Sequence, residues 1–533
     1  MTAVLATATA SISCYSAIEK HGPVSTSSGL ITGHIAPNTE CVMEFLGIPY
    51  AKPPVGDLRF APPQKAFTPD LSYNASAFGY DCPLTPSKPV NYPGFYPQAQ
   101  RILNYFASAA GTPQSEDCLT LNIWTKPISN TTSDSTLKPV LIFFYGGRFT
   151  IGNTNTPFYN GANFASAQDI IIITVNYRLN IFGFPGSPTL PSQNLGLRDQ
   201  RLAVEWVRDN IPRFGGDPSK ITLFGQSSGG VSVDYWAYAY PTDPIAHGLV
   251  AHSGTAFSFP SNTNPVQESN WNTVVSAVNC SSPTPPSTVL SCMRTLPWQT
   301  LLSAASAIKP AKSTSPLRSI PPFYPTPDNV TVFSPSSYLS LTRSGQFAPI
   351  PVLLGNTDNE AGYYRIPAFA QNITSPTPSQ IISSFLLESF TCPVLHQASA
   401  RTRQNIPAYV YRYFADWENT RLYPTSGAYH GVDLHMVFGG SEEVSGLSAS
   451  KDQRVLTGLM QRAWWAFADD PENGLGRWVG WPRFEIGEGK TKRVAVVVEI
   501  GRGNRPGVEV VEVEGYERGC EGVTMGALGV VAV

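Results

Sequence analysis

The chain is poor in charge. Charged residues make up 14% of its 533 residues, the formal net charge is −2, and no stretch gathers basic side chains into a stripe. Nucleic-acid binding needs such a cationic surface, because phosphate contacts supply most of the affinity. We therefore predict no nucleic-acid partner. The hydrophobic content of 42% indicates a chain that folds around a large core.

Long apolar runs are also missing, so no segment is predicted to span a membrane. The N-terminal MTAVLATATASISC is weakly apolar and has no Lys or Arg before Lys20, which makes it a poor secretory signal. We interpret residues 1–20 as a degenerate signal or a disordered N-terminus. Residues 521–533 lack the polar spacer of a lipid-anchor signal. They predict a loose C-terminal tail and no stable membrane anchor.

Metal-ligand spacing is absent from the eight cysteines, which form no CxxC pair and have no His-rich partner segment. We predict no metal site. Scattered cysteines instead favour disulfides formed in an oxidising compartment. Glycosylation sequons agree with export from the cell, and the sequence therefore predicts a secreted glycoprotein. The five sequons begin at Asn74, Asn130, Asn279, Asn329 and Asn372.

Strand-like and helix-like segments alternate from about residue 137. KPVLIFFYGG, DIIIITVNYR and KITLFGQS are runs typical of strands buried on both faces, and residues 195–211 have apolar side chains at helical spacing. PIPVLLGN and PAYVYRYF indicate two further strands. This alternation predicts an α/β fold with a large, mostly parallel sheet covered by helices, in one domain over 21–520. The Pro/Ser-rich stretch 261–327 is predicted to be an insertion.

A candidate nucleophile stands between a predicted strand and a predicted helix, in LFGQSSGG. A nucleophilic serine is presented on a tight turn, where bulky residues two positions away would collide. Gly225 and Gly229 meet that requirement around Ser227. The following helix also points its free N–H groups towards a developing oxyanion. A structural Gly-rich turn is the alternative interpretation.

A second glycine pair, Gly146 and Gly147, follows another predicted strand in FFYGGRFTIG. Glycines at a strand end let backbone N–H groups approach a ligand, as an oxyanion hole requires. Alone this segment is equally compatible with an ordinary turn. Together with the turn at Ser227 it indicates a site for acyl transfer.

Several longer motifs follow one another along the chain. They are EFLGIPYAKPPVGDLRFAPP, SEDCLTLNIW, VNYRLNIFGF, NLGLRDQRLAVEWVRDNIPRFGGDPSKITLFGQSSGG and GNTDNEAGYY. In these motifs the chain resembles the type-B carboxylesterase/lipase (carboxylesterase–cholinesterase) family, and its secreted fungal members in particular, over about residues 25 to 520. The resemblance implies an α/β-hydrolase fold with long insertions that form a cap or lid. It also implies a serine esterase whose partner is a small-molecule ester.

The resemblance implies a triad of Ser227, Glu360 in NTDNEAG and His430 in GAYHGVDLHMVFG. Asp358 is the local rival for the acid. His435 is the rival for the base, although its apolar neighbours favour a packed imidazole. Ser227 would attack the ester carbonyl, His430 would move the proton and Glu360 would orient the imidazole, so no cofactor is expected.

The implied oxyanion hole consists of the backbone N–H groups of Gly147, Arg148 and Ser228. Arg148 departs from the family, which usually has a third glycine there, and we expect its side chain to pair with a nearby acid. Stabilisation of substrate charge is the alternative. Gln226 replaces the glutamate that usually precedes the nucleophile. The stretch between Glu360 and His430 is shorter than usual, which predicts a smaller cap.

Disulfides and buried ion pairs are implied by the same resemblance. Its pairing leaves Cys14 and Cys41 as the remaining couple. The implied ion pairs join Arg59 to Glu116 and Arg178 to Asp199, in structural roles. The implied disulfides are Cys82–Cys118, Cys280–Cys292 and Cys392–Cys520.

Two other functions fit the same motifs. An interfacial lipase would use the aromatic loop at about 82–118 as a lid, and a non-catalytic cholinesterase-like protein would bind a partner through the same fold. The filled triad argues against the second. The loop has no tryptophan to hold a quaternary ammonium, Gln226 is neutral and Arg148 is cationic. These features predict a preference for neutral carboxylic esters over choline esters.

Overall fold

The computed structural model describes residues 22–39, 41–90, 92–108, 110–127, 137–281, 287–313, 315–370, 373, 377–485, 495–526 and 530–531. The expected signal or disordered segment, 1–20, and Cys14 within it lie outside this range. The strands are β1 (Val24–Thr26), β2 (Gly29–Thr32), β3 (His34–Ile35), β4 (Met43–Pro49), β5 (Ser72–Asn74), β6 (Thr120–Thr125), β7 (Lys138–Phe144), β8 (Ile171–Val175), β9 (Gly216–Gln226), β10 (Gly248–His252), β11 (Ala311–Lys312), β12 (Ser319–Ile320), β13 (Val352–Thr357), β14 (Ala408–Tyr413), β15 (Val496–Ile500), β16 (Val508–Glu512), β17 (Thr524–Met525) and β18 (Val530–Val531).

Helices connect and cover these strands. They are α1 (Ala99–Phe106), α2 (Ala162–Ala167), α3 (Asn180–Gly183), α4 (Leu195–Asn210), α5 (Ser228–Ala239), α6 (Asn264–Ala277), α7 (Ser287–Thr295), α8 (Trp298–Ser306), α9 (Pro335–Ser344), α10 (Ala361–Tyr364), α11 (Ile366–Ala370), α12 (Ser379–Leu386), α13 (Cys392–Arg403), α14 (Leu434–Phe438), α15 (Ser441–Ser445), α16 (Lys451–Asp469), α17 (Gly474–Val479) and α18 (Glu514–Cys520). None of these helices is long and apolar enough to cross a membrane.

The main sheet has 11 strands in the order β16-β15-β14-β13-β10-β9-β7-β8-β6-β4-β3. Neighbours from β15 to β8 along this order are parallel, and the pairs at both edges are antiparallel. The predicted mostly parallel sheet is therefore confirmed. Its centre is fully buried because every residue of β7 and β8 faces a covered side, as the continuous β-branched runs indicated.

The insertion predicted at 261–327 carries α6, α7, α8 and the β11–β12 hairpin. It contributes to a second hydrophobic cluster beside the main core, whose members include Trp271, Met293, Leu301 and Phe323. Because these apolar side chains pack with one another and with residues outside the insertion, it is held against the rest of the domain.

The tail at 521–533 is not wholly loose, contrary to expectation. β17 pairs with β18 in antiparallel fashion, and Met525 is fully buried. A short apolar strand that can bury a methionine gains hydrophobic stabilisation, which the composition of this tail did not reveal.

Three disulfides tie distant parts of the described chain. They are the pairs implied by the resemblance: Cys82–Cys118, Cys280–Cys292 and Cys392–Cys520. Among the sequons, Asn74, Asn279 and Asn329 are exposed, as glycan attachment requires. Asn130 and Asn372 lie outside the described residues.

Two buried arginine–carboxylate pairs join separate segments of the chain. Arg59 makes two bonds to Glu116, at 2.6 and 2.5 Å, and its third nitrogen donates to the Leu296 carbonyl at 2.6 Å. Arg178 pairs with Asp199 through its Nε at 2.8 Å and its Nη2 at 2.7 Å, while its backbone N–H donates to the same carboxylate at 3.0 Å. Both pairs have the geometry of structural, bidentate ion pairs.

Asp199→Ala should leave the buried Arg178 guanidinium without its carboxylate partner. We expect the free energy of unfolding to fall by about 3–5 kcal/mol, because an unpaired buried charge is strongly destabilising. Asp209→Ala is the matched control, since its ion pair with Arg208 is exposed and should contribute less than about 1 kcal/mol. Urea unfolding followed by tryptophan fluorescence measures both. Equal effects would contradict a structural role for Arg178 and Asp199.

Candidate active site

Ser227 occupies the sharp turn between β9 and α5, with φ 57° and ψ −121°. This left-handed φ is unfavourable for a residue with a side chain and persists only where the surroundings impose it. The Ser227 N–H donates to the His252 carbonyl at 2.8 Å, and its own carbonyl accepts from the Val231 N–H at 2.9 Å. The turn is therefore held on both sides of the serine.

The glycines beside Ser227 leave no room for a side chain. A Cβ on Gly225 would collide with the backbone of Gly229, and a Cβ on Gly229 would collide with the Phe144 carbonyl at the end of β7. Gly146 approaches the same turn, because a Cβ there would lie 2.9 Å from the Ser227 Cβ. The tight turn expected from the motif is explained by these contacts.

Glu360 and His430 meet behind this turn. The His430 Nδ1 lies 2.5 Å from the Glu360 Oε2, and both side chains are buried. The other carboxylate oxygen of Glu360 accepts from the Ser253 hydroxyl at 2.6 Å and from the Thr357 N–H at 2.8 Å. These donors fix the carboxylate, so the imidazole is held in one orientation with its Nε2 turned away from Glu360.

The rival residues occupy different environments. Asp358 pairs with Arg412 at 2.9 Å and is partly exposed. His435 packs against Phe158 with ring centroids 4.4 Å apart, and burial lowers its pKa to about 3. His435 is therefore a neutral, packed imidazole, as its apolar neighbours indicated.

The His430 Nε2 faces the Ser227 turn and two polar side chains. The Gln226 amide nitrogen lies 3.0 Å away and the Tyr364 hydroxyl 3.4 Å away. The amide N–H of Gln226 donates to this nitrogen when the imidazole carries its proton on Nδ1, which faces Glu360. Burial raises the pKa of Tyr364, so this hydroxyl keeps its proton.

Sequence reasoning missed Tyr364, although it follows Glu360 by four positions in the GNTDNEAGYY motif. It also missed a buried network beneath Ser227. The His252 Nδ1 lies 2.8 Å from Asp433, and the Trp464 indole N–H donates to the other ring nitrogen of His252 at 2.9 Å. Burial alone would raise the pKa of Asp433, but His252 and the Tyr411 hydroxyl lower it below its usual value. The ionised carboxylate anchors the histidine whose carbonyl holds the Ser227 N–H.

The Gly146–Gly147 segment lies across the turn from Ser228. Gly147 has φ +112°, and Arg148 has φ 59°. No described residue accepts a hydrogen bond from the backbone N–H of Gly147 or Arg148. Among the described residues no acid pairs with Arg148, contrary to expectation. Its guanidinium donates to the Ser319 carbonyl at 2.9 Å and to the Ser319 hydroxyl at 3.1 Å.

A small cavity of about 30 Å³ opens onto Ser227. Aromatic and cationic side chains share its wall. Residues lining it include Arg148, Ser227, Phe259, Arg318, Tyr324 and Tyr364. Within the described part of the chain, no group of three or more His, Cys, Asp or Glu side chains is placed to hold a metal ion.

Gly229→Ala should abolish the native turn, because its Cβ would meet the rigid backbone of β7 rather than a side chain that could move. We expect the yield of folded protein, measured by size-exclusion chromatography and circular dichroism, to fall at least tenfold. Gly458→Ala is the matched control. Gly458 lies on α16, and no heavy atom lies within 4 Å of the position that an alanine Cβ would take, so alanine there should stabilise the helix by up to about 1 kcal/mol. Normal folding of Gly229→Ala would refute the steric account of the turn.

Comparisons with known proteins agree with this geometry. A model of the Carboxylesterase family matches residues 20–387 and 378–505. Secreted lipase 5 of Gibberella zeae is 33% identical, over 89% of this chain and 90% of its own length. Chlorogenic acid esterase of Aspergillus niger is 35% identical, over 87% and 88%. Para-nitrobenzyl esterase of Bacillus subtilis is 29% identical, over 83% and 89%.

The family match spans most of the chain, and the sheet, the Ser227 turn and the buried Glu360–His430 pair agree with it. The chain belongs to the carboxylesterase family of α/β-hydrolases and is a carboxylic ester hydrolase.

Proposed function

We propose that Ser227, His430 and Glu360 are the nucleophile, base and orienting acid of this esterase. The observation that carries the proposal is the 2.5 Å contact between the His430 Nδ1 and Glu360, which leaves Nε2 facing the Ser227 turn, 3.0 Å from the Gln226 amide nitrogen. An imidazole held in this tautomer can take a proton from a serine hydroxyl.

The reaction proceeds through an acyl-enzyme. His430 removes the Ser227 proton as the hydroxyl oxygen attacks the ester carbonyl, and the imidazolium then protonates the leaving alcohol. Water, deprotonated by the same imidazole, releases the acid and restores Ser227. Glu360 stabilises the imidazolium in both halves of the cycle and keeps its own charge.

Gln226 affects the start of this cycle. Its amide occupies the His430 Nε2 at 3.0 Å, so the imidazole must exchange this partner for the serine hydroxyl before proton transfer. A neutral amide is displaced from the His430 Nε2 more readily than a carboxylate would be, because it forms no ion pair with the imidazolium.

The oxyanion is received by the N–H groups of Gly147, Arg148 and Ser228. The first two have no acceptor among the described residues, and Ser228 begins α5, where the helix dipole favours negative charge. Such preorganised donors are the largest electrostatic contribution in acyl transfer.

An interfacial lipase is the second candidate, because the relative from Gibberella zeae is named a secreted lipase. Packing of the 82–118 loop favours an esterase with a fixed wall. Tyr92 stacks on Phe369 with ring centroids 4.1 Å apart, and Phe106 meets Tyr363 edge-on at 5.0 Å. The aromatic side chains expected of a mobile lid are thus engaged in contacts with the rest of the domain.

We also propose that the protein is secreted. Three disulfides, three exposed sequons and a relative named as secreted support this localisation. We further propose that residues 21–520 form a single domain, because the main hydrophobic core is continuous across the sheet.

Ser227→Ala and His430→Ala should each lower kcat/KM for p-nitrophenyl butyrate by about 10⁴–10⁶ while the protein stays folded. His435→Ala is the matched control, since that imidazole makes no hydrogen bond and should retain activity within about threefold per folded molecule. Circular dichroism checks folding. A folded Ser227→Ala that kept more than a few per cent of activity, or a reversed ranking of the two histidines, would overturn the assignment.

Neutral esters should be hydrolysed better than cationic ones. The described part of the 82–118 loop offers tyrosine and phenylalanine rings, which attract a quaternary ammonium less than tryptophan does, and Arg148 repels it. A missing cation–π contact of about 2 kcal/mol corresponds to roughly thirtyfold in affinity. Comparing kcat/KM for butyrylcholine and its uncharged 3,3-dimethylbutyl isostere tests this preference, and a clear advantage for the choline ester would contradict it.

A further inference from the structure

Two guanidinium groups line the cavity that contains Ser227. Arg148 belongs to the oxyanion segment, and Arg318 immediately precedes Ser319, the residue that holds the Arg148 side chain. The two cations are therefore linked through one short strand, β12, at the wall of the cavity. The acyl-transfer chemistry proposed above uses neither of these side chains.

Arg318 is partly buried, and most of its donors have no partner among the described residues. Its Nη1 donates to the Ser258 carbonyl at 3.0 Å, while Nε and Nη2 are buried and have no hydrogen-bond partner. The guanidinium lies over Phe259 and Phe385, at 5.0 and 5.8 Å from their ring centroids. Aromatic faces compensate in part for the lost hydration of the guanidinium, but they do not satisfy its N–H donors. Burial of the two nitrogens therefore remains energetically unfavourable.

The local acids do not neutralise this pair of cations. Among the described residues, no carboxylate oxygen lies within 4.0 Å of either guanidinium. Glu388 is the acid that interacts with Arg318 at longer range, and burial raises the pKa of its carboxyl. The cavity wall thus carries excess positive charge next to the nucleophile.

The unused donors have a specific geometry. Nε and Nη2 form the edge of a guanidinium that can give two parallel hydrogen bonds to one carboxylate. Gly526 packs against Nη2, where an added Cβ would lie 2.5 Å from it. Binding of a carboxylate through both donors therefore requires the Arg318 side chain to turn from Gly526 towards the cavity that it lines. A carboxylate is the group that matches both their charge and their spacing.

We propose that the cavity binds ester substrates that carry a second, free carboxylate, which Arg318 receives through Nε and Nη2 while Arg148 adds a second positive charge. This inference rests on the proposed function of Ser227, and it adds a specificity-determining residue to it. The carboxylate belongs to either the acyl or the alcohol part of the ester, and the experiment separates these sources.

The test compares kcat/KM, by pH-stat at pH 7.5, for two matched pairs of alkyl esters. The acyl pair is monoethyl glutarate and the ethyl ester of glutaramic acid, and the alcohol pair is 4-acetoxybutanoate and 4-acetoxybutanamide. We expect the carboxylate ester to be preferred by about tenfold or more in one pair, which also identifies the source. Preference for the neutral amide in both pairs would overturn the proposal.

Variants assign the effect to Arg318. Arg318→Met should bring kcat/KM for the two members of the preferred pair to parity, while Arg318→Lys should keep a reduced preference because it retains the charge without the two parallel donors. Arg477→Met, an exposed site on α17, should leave the preference unchanged. An undiminished preference in Arg318→Met would sink the assignment. If Arg318→Met does not fold, Arg318→Lys and the wild-type ratios decide.

Failure of this subsite is distinguishable from failure of the proposed function. Hydrolysis of p-nitrophenyl acetate that is lost in Ser227→Ala supports the nucleophile whatever the outcome of the paired esters. Its persistence in Ser227→Ala refutes the proposed function, independently of the carboxylate preference.

Discussion

The close approach of β9, α5 and the end of β7 is the constraint on which the rest of the site depends. Gly225 and Gly229 allow these backbones to touch, and the contact imposes a left-handed φ on Ser227. A residue in this conformation is costly by itself. The cost is offset by the surrounding sheet, which is why a large buried core is needed to present one hydroxyl group.

Parallel strands then bring the remaining groups to the same edge. β9 ends at Gln226 just before Ser227, β13 leads to Glu360, and the segment after β14 carries His430. Because β13 pairs directly with β14 and with β10, the carboxyl ends of these strands are neighbours. The buried His252–Asp433 pair strengthens the same edge from below, so the Ser227 turn is supported by both steric contact and a buried charge.

Local patterns predicted the parts of the molecule that depend on local physics. The β-branched runs, the helix after Ser227 and the glycine-flanked turn follow from periodicity and backbone sterics. Glu360 and His430 needed a family resemblance, since His430 lies 204 positions from the Gln226 amide that it contacts. Neither the Arg148–Ser319 link, across 171 positions, nor the orphan donors of Arg318 had a local signal. The pairing of β17 with β18 in the C-terminal tail also had no local signal, because it accompanies the burial of Met525.

The burial of α5 links the geometry of Ser227 to the folding of the whole domain. Nearly every residue of this helix is buried, and its first turn is formed against strands whose residues span positions 138 to 252. The geometry of Ser227 therefore depends on non-local contacts, which a chain can make only after closing long loops. The conformation of Ser227 is thus a property of the completed domain and not of the short segment that contains it.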